Sequence, residues 1–219
     1  LGWATAHGPC LMDLVPAQGD PLTARALQAL TCPAGSTLRQ VQSHAWEPRW
    51  TDFEKAPAAP YTLTEPTAWY ELRGAEHVRA RGRLVGGCLD TLLHLASGPH
   101  GDLRAFAQCH RDEGTILYLE NAEQSPTALV RALHTLRWAG WFEQLNALLV
   151  GRSAAPDSVG DGRLRYVDAL VSALGMLTCP ILVDVDIGHK PPQMLLINGA
   201  LARVQWSQKE GGAVDQDLL

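Results

Sequence analysis

The sequence has no excess of positive charge and no long apolar run. Its 219 residues include 18 lysines and arginines against 23 acidic residues, which gives a formal net charge of −5. Nothing in it builds the basic face that nucleic-acid binding needs. No stretch of about 18 uninterrupted apolar residues occurs, so we expect no membrane span. The composition, 46% apolar and 19% charged, is that of a globular protein with a core.

The motifs of common cofactors are missing as well. There is no Cys-x-x-Cys, His-x-x-x-His or His-Glu-x-x-His, so the spacing predicts no metal site. No Gly-x-Gly-x-x-Gly occurs, which disfavours a nucleotide-dependent oxidoreductase, and no other cofactor is indicated. The five cysteines are odd in number and widely spaced, which is typical of a protein in the reducing cytoplasm.

The order of apolar segments predicts an α/β fold in three parts. Residues 1–44 alternate short apolar runs with turn residues, and we interpret them as the end of a flavodoxin- or Rossmann-like N-terminal domain. Residues 45–74 hold four prolines among aromatic side chains. Proline forbids a long helix, and flexible linkers are poor in aromatics, so this part predicts an ordered connector. Residues 75–219 return to strand–helix alternation and form a mixed α/β C-terminal domain.

Capping and turn residues locate several elements. Asp20-Pro21 and Ser125-Pro126 each suit the start of a helix. Asn198-Gly199 is a strong turn signal and predicts a hairpin between residues 194–197 and 200–205. The other predicted strands are at 78–85, 115–119, 147–150 and 181–185. Gly86-Gly87 should end the first of these strands and be followed by a helix, and a further helix is predicted at 164–176.

Two side chains follow predicted strands and could form part of a catalytic site. Glu120 ends one strand, and His189 follows another after a glycine. In open α/β sheets, functional groups collect beyond the carboxyl ends of strands. A histidine there can remove the proton of a nucleophile while a carboxylate fixes its tautomer. From spacing alone, a solvated glutamate and a histidine in a turn remain the alternative.

Two other groups of residues allow a functional and a structural interpretation. Strand alternation would put Asp184 and Asp186 on one side, where they could hold a metal or simply be a solvated pair. Trp46 and Trp50 lie four residues apart in the connector. Exposed tryptophans can stack on a planar ligand, and buried ones simply pack.

Several strings, taken in order, resemble the LD-carboxypeptidase family of serine peptidases over essentially the whole chain. Trp50-Thr51-Asp52 resembles the branch of this family that contains microcin-immunity peptidases. The family strings are His7-Gly8-Pro9, Gly86-Gly87-Cys88-Leu89, the strand ending in Glu120, residues 131–140, Val150-Gly151-Arg152, and Val185-Asp186-Ile187-Gly188-His189.

The resemblance implies a two-domain cytoplasmic hydrolase, often a homodimer, with a Ser–Glu–His triad and no metal. Glu120 and His189 would be the catalytic residues, and Trp50 and Cys88 would border the substrate. The substrate would be a small peptide, such as a murein tetrapeptide that loses D-Ala, or a toxic peptidyl-nucleotide. Cys88 stands where the family commonly has asparagine. The substrate contacts that the family makes through this asparagine therefore do not carry over directly to this chain.

The nucleophile of the family is not found in the sequence. It lies in a Gly-x-Ser-Asp turn shortly before His-Gly-Pro, and only six residues, none of them serine, precede His7. We therefore expect the serine upstream of Leu1 and the chain alone to be inactive. The alternatives are a non-catalytic binding module of the same fold and, less favoured because no activating partner is visible, Cys88 as a replacement nucleophile.

Overall fold

The computed structural model describes residues 4–14, 20–49 and 54–218, and its main feature is one mixed eight-stranded sheet. The strand order is β2-β12-β11-β6-β7-β8-β9-β5. The strands are β1 Ala6–His7, β2 Thr37–Val41, β3 Ala45–Trp46, β4 Glu65–Pro66, β5 Tyr70–Glu71, β6 His77–Cys88, β7 Thr115–Glu120, β8 Leu145–Gly151, β9 Ile181–Val185, β10 Leu196–Ile197, β11 Leu201–Ser207 and β12 Gly211–Asp217. The helices are α1 Pro21–Ala29, α2 Leu89–Leu92, α3 Leu103–Cys109, α4 Pro126–Trp138 and α5 Tyr166–Leu174.

The middle of the sheet is parallel. Strands β6, β7, β8 and β9 pair in that order, and helices connect each strand to the next. Parallel strands need such crossovers, and the crossovers cover the sheet faces. β7 is accordingly buried at all six positions. The carboxyl ends of the four strands therefore meet at one edge, where Cys88 lies in register with Glu120.

The predicted hairpin around Asn198-Gly199 is wrong. The turn itself forms, with Gly199 at a φ of 89°. The strand before it, β10, pairs with β1, whereas the strand after it, β11, pairs with β6. The hairpin in this region joins β11 to β12 instead. The turn residues correctly predicted a reversal of the chain. They could not predict that the strands on the two sides of the turn would pair with different neighbours and not with each other.

Gly86 and Gly87 do not end the strand as predicted. β6 continues through both glycines to Cys88, because β7 still offers hydrogen-bonding partners there. A side chain at position 86 would place its Cβ 1.8 Å from the carbonyl oxygen of Tyr118. Glycine is therefore required by the close approach of the two backbones.

Two hydrophobic clusters lie on opposite faces of the sheet, as alternation along β7 requires. Leu117 and Leu119 face the cluster that includes α4 and α5. Ile116 and Tyr118 face the second cluster, with β10 and β11. Glu120, two residues after Tyr118, continues the second face at the end of the strand. The strand pattern thus directs a carboxylate toward the side of the sheet on which β1 lies.

The division of the chain into three parts stays a prediction. Strands from all three parts nevertheless pair within one sheet. β2, from the first part, pairs with β12, and β5, from the connector, pairs with β9. Asp20 caps α1 as expected, since its carboxylate accepts from the amides of Leu22 and Thr23. Sequence reasoning missed α3 and β12.

Candidate active site

Glu120 and His189 meet at the carboxyl edge of the parallel strands. Oε2 of Glu120 lies 2.9 Å from Nδ1 of His189, a hydrogen-bond distance. The glutamate side chain is fully buried, and the histidine side chain is 40% exposed. A buried carboxylate that holds a solvent-accessible imidazole has the geometry that proton transfer by a histidine requires.

Gly188 permits this approach. Its φ is 105°, a region that favours glycine, and a Cβ there would lie 2.8 Å from Cβ of Glu120. Any side chain at position 188 would push the histidine loop away from β7. A glycine directly before His189 is therefore required for the imidazole to come within hydrogen-bonding distance of the Glu120 carboxylate.

The hydrogen bond to Glu120, opposed by partial burial, raises the pKa of His189 above its ordinary value of 6.5. A carboxylate at Nδ1 keeps the proton on that nitrogen and gives Nε2 the lone pair of a general base. The pair can therefore accept a proton at Nε2 and stabilise the resulting imidazolium with the Glu120 charge.

His7 is a member of the site that sequence reasoning did not single out, although its His-Gly-Pro string was noted. Nε2 of His7 lies 4.0 Å from Oε1 of Glu120, and its ring packs 5.6 Å from that of Tyr118. Burial lowers the pKa of His7, although the charge of Glu120 opposes this shift. Pairing of β1 with β10 places His7 here, and no local pattern in the sequence reveals that pairing.

Cys88 lies beside Glu120, as its register with β7 requires. Burial, together with the negative charge of Glu120, raises the pKa of its thiol to about 12. Nucleophilic cysteines need the opposite shift, because the thiolate is the reactive form. Cys88 therefore lies next to Glu120, and its surroundings disfavour it as a replacement nucleophile.

Asp90 organises the loop after Glu120. Its carboxylate accepts from the amide of Ala122 at 3.0 Å and from Nε2 of Gln124 at 2.8 Å, and it lies 3.6 Å from the Cys88 thiol. This side chain links the end of β6 to the loop that follows β7. Asp90, which sequence reasoning also missed, therefore fixes the loop after Glu120 against the end of β6.

The interpretation of Asp184 and Asp186 as a solvated pair on one side of a strand is wrong. Asp186 is fully buried and forms an ion pair with Arg152 at 2.7 Å. It also accepts from Ser43 and from the indole of Trp69. The backbone at Asp184 has a φ of 58°, which interrupts the alternation. The two carboxylates consequently have different surroundings.

Asp184 should lower stability at neutral pH. Burial, partly offset by Arg152, raises the pKa of Asp184 from 3.8 to about 6. A raised carboxyl pKa adds stability that is complete below 3.8 and is lost as the pH rises through 6. We expect Asp184→Asn, which removes the charge and tolerates the positive φ, to stabilise the protein by about 1 to 3 kcal/mol above pH 6.

Urea unfolding at several pH values checks this prediction. The gain from Asp184→Asn should shrink as the pH falls from about 6 to about 4. The matched control is Asp112→Asn, since the Asp112 side chain is 94% exposed and should contribute almost nothing. A gain that is constant with pH would mean that backbone strain, and not charge, explains the difference.

Trp50, the predicted stacking residue, lies outside the described residues. Trp46 is described: Nζ of Lys190 lies 5.2 Å from its ring centre, and the Arg152 guanidinium carbon lies 5.6 Å away, which are cation–π distances. These side chains line an open cleft of about 640 Å³ together with Asp184 and Tyr166. The cleft combines an aromatic ring and two basic side chains with the carboxylates of Glu65, Asp157 and Asp184.

In the described parts of the chain, no helix combines the length and the apolar character needed to cross a bilayer. All five cysteines are free thiols.

The structure thus places a carboxylate–histidine pair at the carboxyl ends of the parallel strands of a mixed sheet. Residues 81–204 match the family profile described as the LD-carboxypeptidase C-terminal domain, which covers more than half of the chain. The chain therefore belongs to the LD-carboxypeptidase family, as the sequence strings predicted.

Individual relatives agree with this assignment. The Microcin C7 self-immunity protein MccF of Escherichia coli is 24% identical over 140 residues, 64% of this chain and 38% of the relative. A solved MccF-like protein from Streptococcus pneumoniae, in complex with AMP, has a TM-score of 0.72 at 23% identity, over 99% of this chain and 64% of that one. A muramoyltetrapeptide carboxypeptidase from Oxalobacter formigenes has a TM-score of 0.65 at 20% identity, over 99% and 62%.

The chain thus spans less than two thirds of the length of these relatives. The structural likeness shows the mixed α/β fold.

Proposed function

We propose that this chain supplies the glutamate and the histidine of a serine carboxypeptidase or amidase. The observation that carries the proposal is the 2.9 Å contact between buried Glu120 and half-exposed His189. Family membership supports hydrolysis by a serine peptidase mechanism in general terms. The experiment that tests the proposal is hydrolysis of a tetrapeptide ending in D-Ala, with and without the two side chains.

In the proposed reaction, Nε2 of His189 takes the proton of a serine hydroxyl as its oxygen attacks the scissile carbonyl carbon. Glu120 stabilises the imidazolium that forms. The imidazolium then protonates the leaving amine as the carbon–nitrogen bond breaks, which leaves an acyl-enzyme. Water, deprotonated by the same imidazole, hydrolyses the ester and returns the serine.

We place the nucleophilic serine outside the 219 residues. The nearest candidate within the chain, Cys88, has a thiol pKa raised to about 12 and is therefore unsuited to the role. Reading the codons upstream of Leu1 tests this placement. A Gly-x-Ser-Asp sequence within about 30 residues agrees with the family pattern, and a genuine start codon there would favour a non-catalytic binding module.

The substrate that we propose is a small peptide or a peptidyl-nucleotide. The Streptococcus pneumoniae relative was solved with the nucleotide AMP, and the Oxalobacter formigenes relative is a muramoyltetrapeptide carboxypeptidase, so a nucleotide ligand and a peptide substrate each occur among similar folds. The cleft beside Trp46 offers an aromatic ring on which a planar group can stack. We further propose a cytoplasmic homodimer that uses no cofactor and binds neither nucleic acid nor membrane.

Trp50 should discriminate between the two substrate classes. If a nucleobase stacks on its indole, Trp50→Ala should weaken binding of an aminoacyl-nucleotide by about 1 to 3 kcal/mol, roughly 5- to 150-fold in KM, and should spare a murein tetrapeptide. Steady-state kinetics of the full-length enzyme on both substrates measure this difference.

The matched control is Trp138→Ala, because Trp138 on α4 is 78% exposed and stacks on His134. It should change neither KM. Equal losses on both substrates with a lower melting temperature would instead assign Trp50 to packing of the connector.

A further inference from the structure

Three side chains of different chemistry converge at the edge of the sheet. A ligand atom from each of Cys88, Glu120 and His189, namely a thiol sulphur, a carboxylate oxygen and an imidazole nitrogen, lies within 4.8 Å of the other two. They come from the end of β6, the end of β7 and the loop after β9. Thiolate, carboxylate and imidazole are the groups that bind zinc in proteins, with metal–ligand bonds of about 2.0 to 2.3 Å.

A second observation points to a cation at the same place. Oε1 of Glu120 is buried and has no hydrogen-bond partner among residues 4–14, 20–49 and 54–218. Nε2 of His7, 4.0 Å away, is buried and equally without a partner within those ranges. Each buried unpaired polar atom costs about 1 to 3 kcal/mol. One cation between them would satisfy a lone pair of both.

We propose that Cys88, Glu120 and His189 bind a divalent transition metal of the Zn²⁺ class, with His7 as the fourth ligand. Two nitrogens, one sulphur and one oxygen make a tetrahedral donor set, which suits Zn²⁺ and the spectroscopic substitute Co²⁺. The charges also balance, because one thiolate and one carboxylate neutralise a divalent ion. Binding releases the thiol proton of Cys88, while the neutral imidazole of His189 keeps its one proton on the nitrogen that does not bind the metal.

Cys88 is what distinguishes this site from the family pattern. The corresponding strings of the LD-carboxypeptidases commonly have asparagine at this position, which is a poor ligand for zinc. The sequence expectation of no metal rested on spacing along the chain. The parallel pairing of β6 with β7 brings Cys88 next to Glu120, which is distant from it in sequence. No short sequence motif encodes such a pairing.

The site would also control the proposed hydrolase, a consequence that rests on the proposed function. A metal on His189 and Glu120 occupies the groups that must move the proton, so metal binding and catalysis exclude each other. Binding itself can be measured without turnover, which keeps the two proposals experimentally separate.

Titration of the 219-residue chain with Co²⁺ and Zn²⁺ tests the proposal. We expect one equivalent of Co²⁺ to produce a thiolate-to-cobalt charge-transfer band with the visible bands of a tetrahedral ion, and Zn²⁺ to displace it. Loss of an outer-shell contact alone weakens metal binding by about 10- to 100-fold. Cys88→Asn should therefore remove the charge-transfer band and weaken Zn²⁺ binding in calorimetry by about 100-fold or more.

The matched control is Cys109→Asn, which removes an exposed thiol at the end of α3 and should leave the band and the affinity unchanged. His189→Ala provides a second variant in case Cys88→Asn misfolds, and circular dichroism verifies the fold of each. The absence of a tight equivalent in the unmodified chain would overturn the proposal. An unchanged band in Cys88→Asn would overturn it as well.

Discussion

Replacing His189 by alanine in the full-length enzyme should reduce kcat/KM for hydrolysis by roughly 10⁴-fold or more, because the nucleophile then loses its general base. Glu120→Gln should reduce it by a similar order, since the amide supplies no charge for the imidazolium and can reverse the tautomer of His189. Single-turnover kinetics on a D-Ala tetrapeptide and on an aminoacyl-nucleotide measure both effects. Stopped acylation, and not slower product release, is the expected cause.

The control for these variants is His134→Ala. His134 lies on α4 and stacks on the exposed Trp138. The substitution therefore removes an imidazole that has no contact with Glu120 or His189. It should leave kcat/KM unchanged. If His189→Ala retained activity within about tenfold of the unmodified enzyme, the triad assignment would be wrong.

The pH profile follows from the same hydrogen bond. His189 must be neutral to act as a base, and the hydrogen bond to Glu120 raises its pKa above 6.5. The acid limb of kcat/KM should therefore lie above pH 6.5 and move down when Glu120→Gln removes the charge. The pair also stabilises the fold fully below pH 6.5, and this contribution is lost as the pH rises through the raised pKa.

The rule that functional groups follow parallel strands suggested Glu120 and His189 from sequence, and the resemblance to the LD-carboxypeptidases favoured this pair over a solvated glutamate and a histidine in a turn. The rule worked because both residues follow apolar runs, 115–119 and 181–185, that form strands whose order in the sheet follows the usual crossover connections. His7 could not be found in this way. Its position depends on the pairing of β1 with β10, whereas the sequence predicted that the strand at 194–197 would pair with residues 200–205.

The failure at Asp184 and Asp186 has a different cause. Alternation assumes extended backbone throughout, and a single positive φ at Asp184 cancels it. The partners of Asp186 are also distant in sequence: Ser43 and Trp69 approach from the region before β6, and Arg152 follows β8. A buried ion pair cannot be told from two surface charges until the segments that cover it are placed.

Asp186→Ala should be the most destabilising of the substitutions considered, at about 3 to 5 kcal/mol. Both partners of the ion pair are buried, with side-chain exposures of 4% for Arg152 and 0% for Asp186. The alanine variant leaves the Arg152 guanidinium charged and without its carboxylate, although the side chain is almost completely buried. It also removes the acceptor for the Ser43 hydroxyl and the Trp69 indole, which attach the region before β6 to the sheet.

Urea unfolding of Asp186→Ala beside Glu143→Ala measures the effect. The Arg104–Glu143 pair has similar geometry, 2.7 Å between its atoms, but both side chains are 55% exposed, so its loss should cost about 1 kcal/mol or less. Because Asp186 lies three residues before His189, the variant should also loosen the loop that positions the imidazole. A loss comparable to that of the exposed pair would show that solvent enters and screens Arg152, in which case Asp186 would not anchor the catalytic loop.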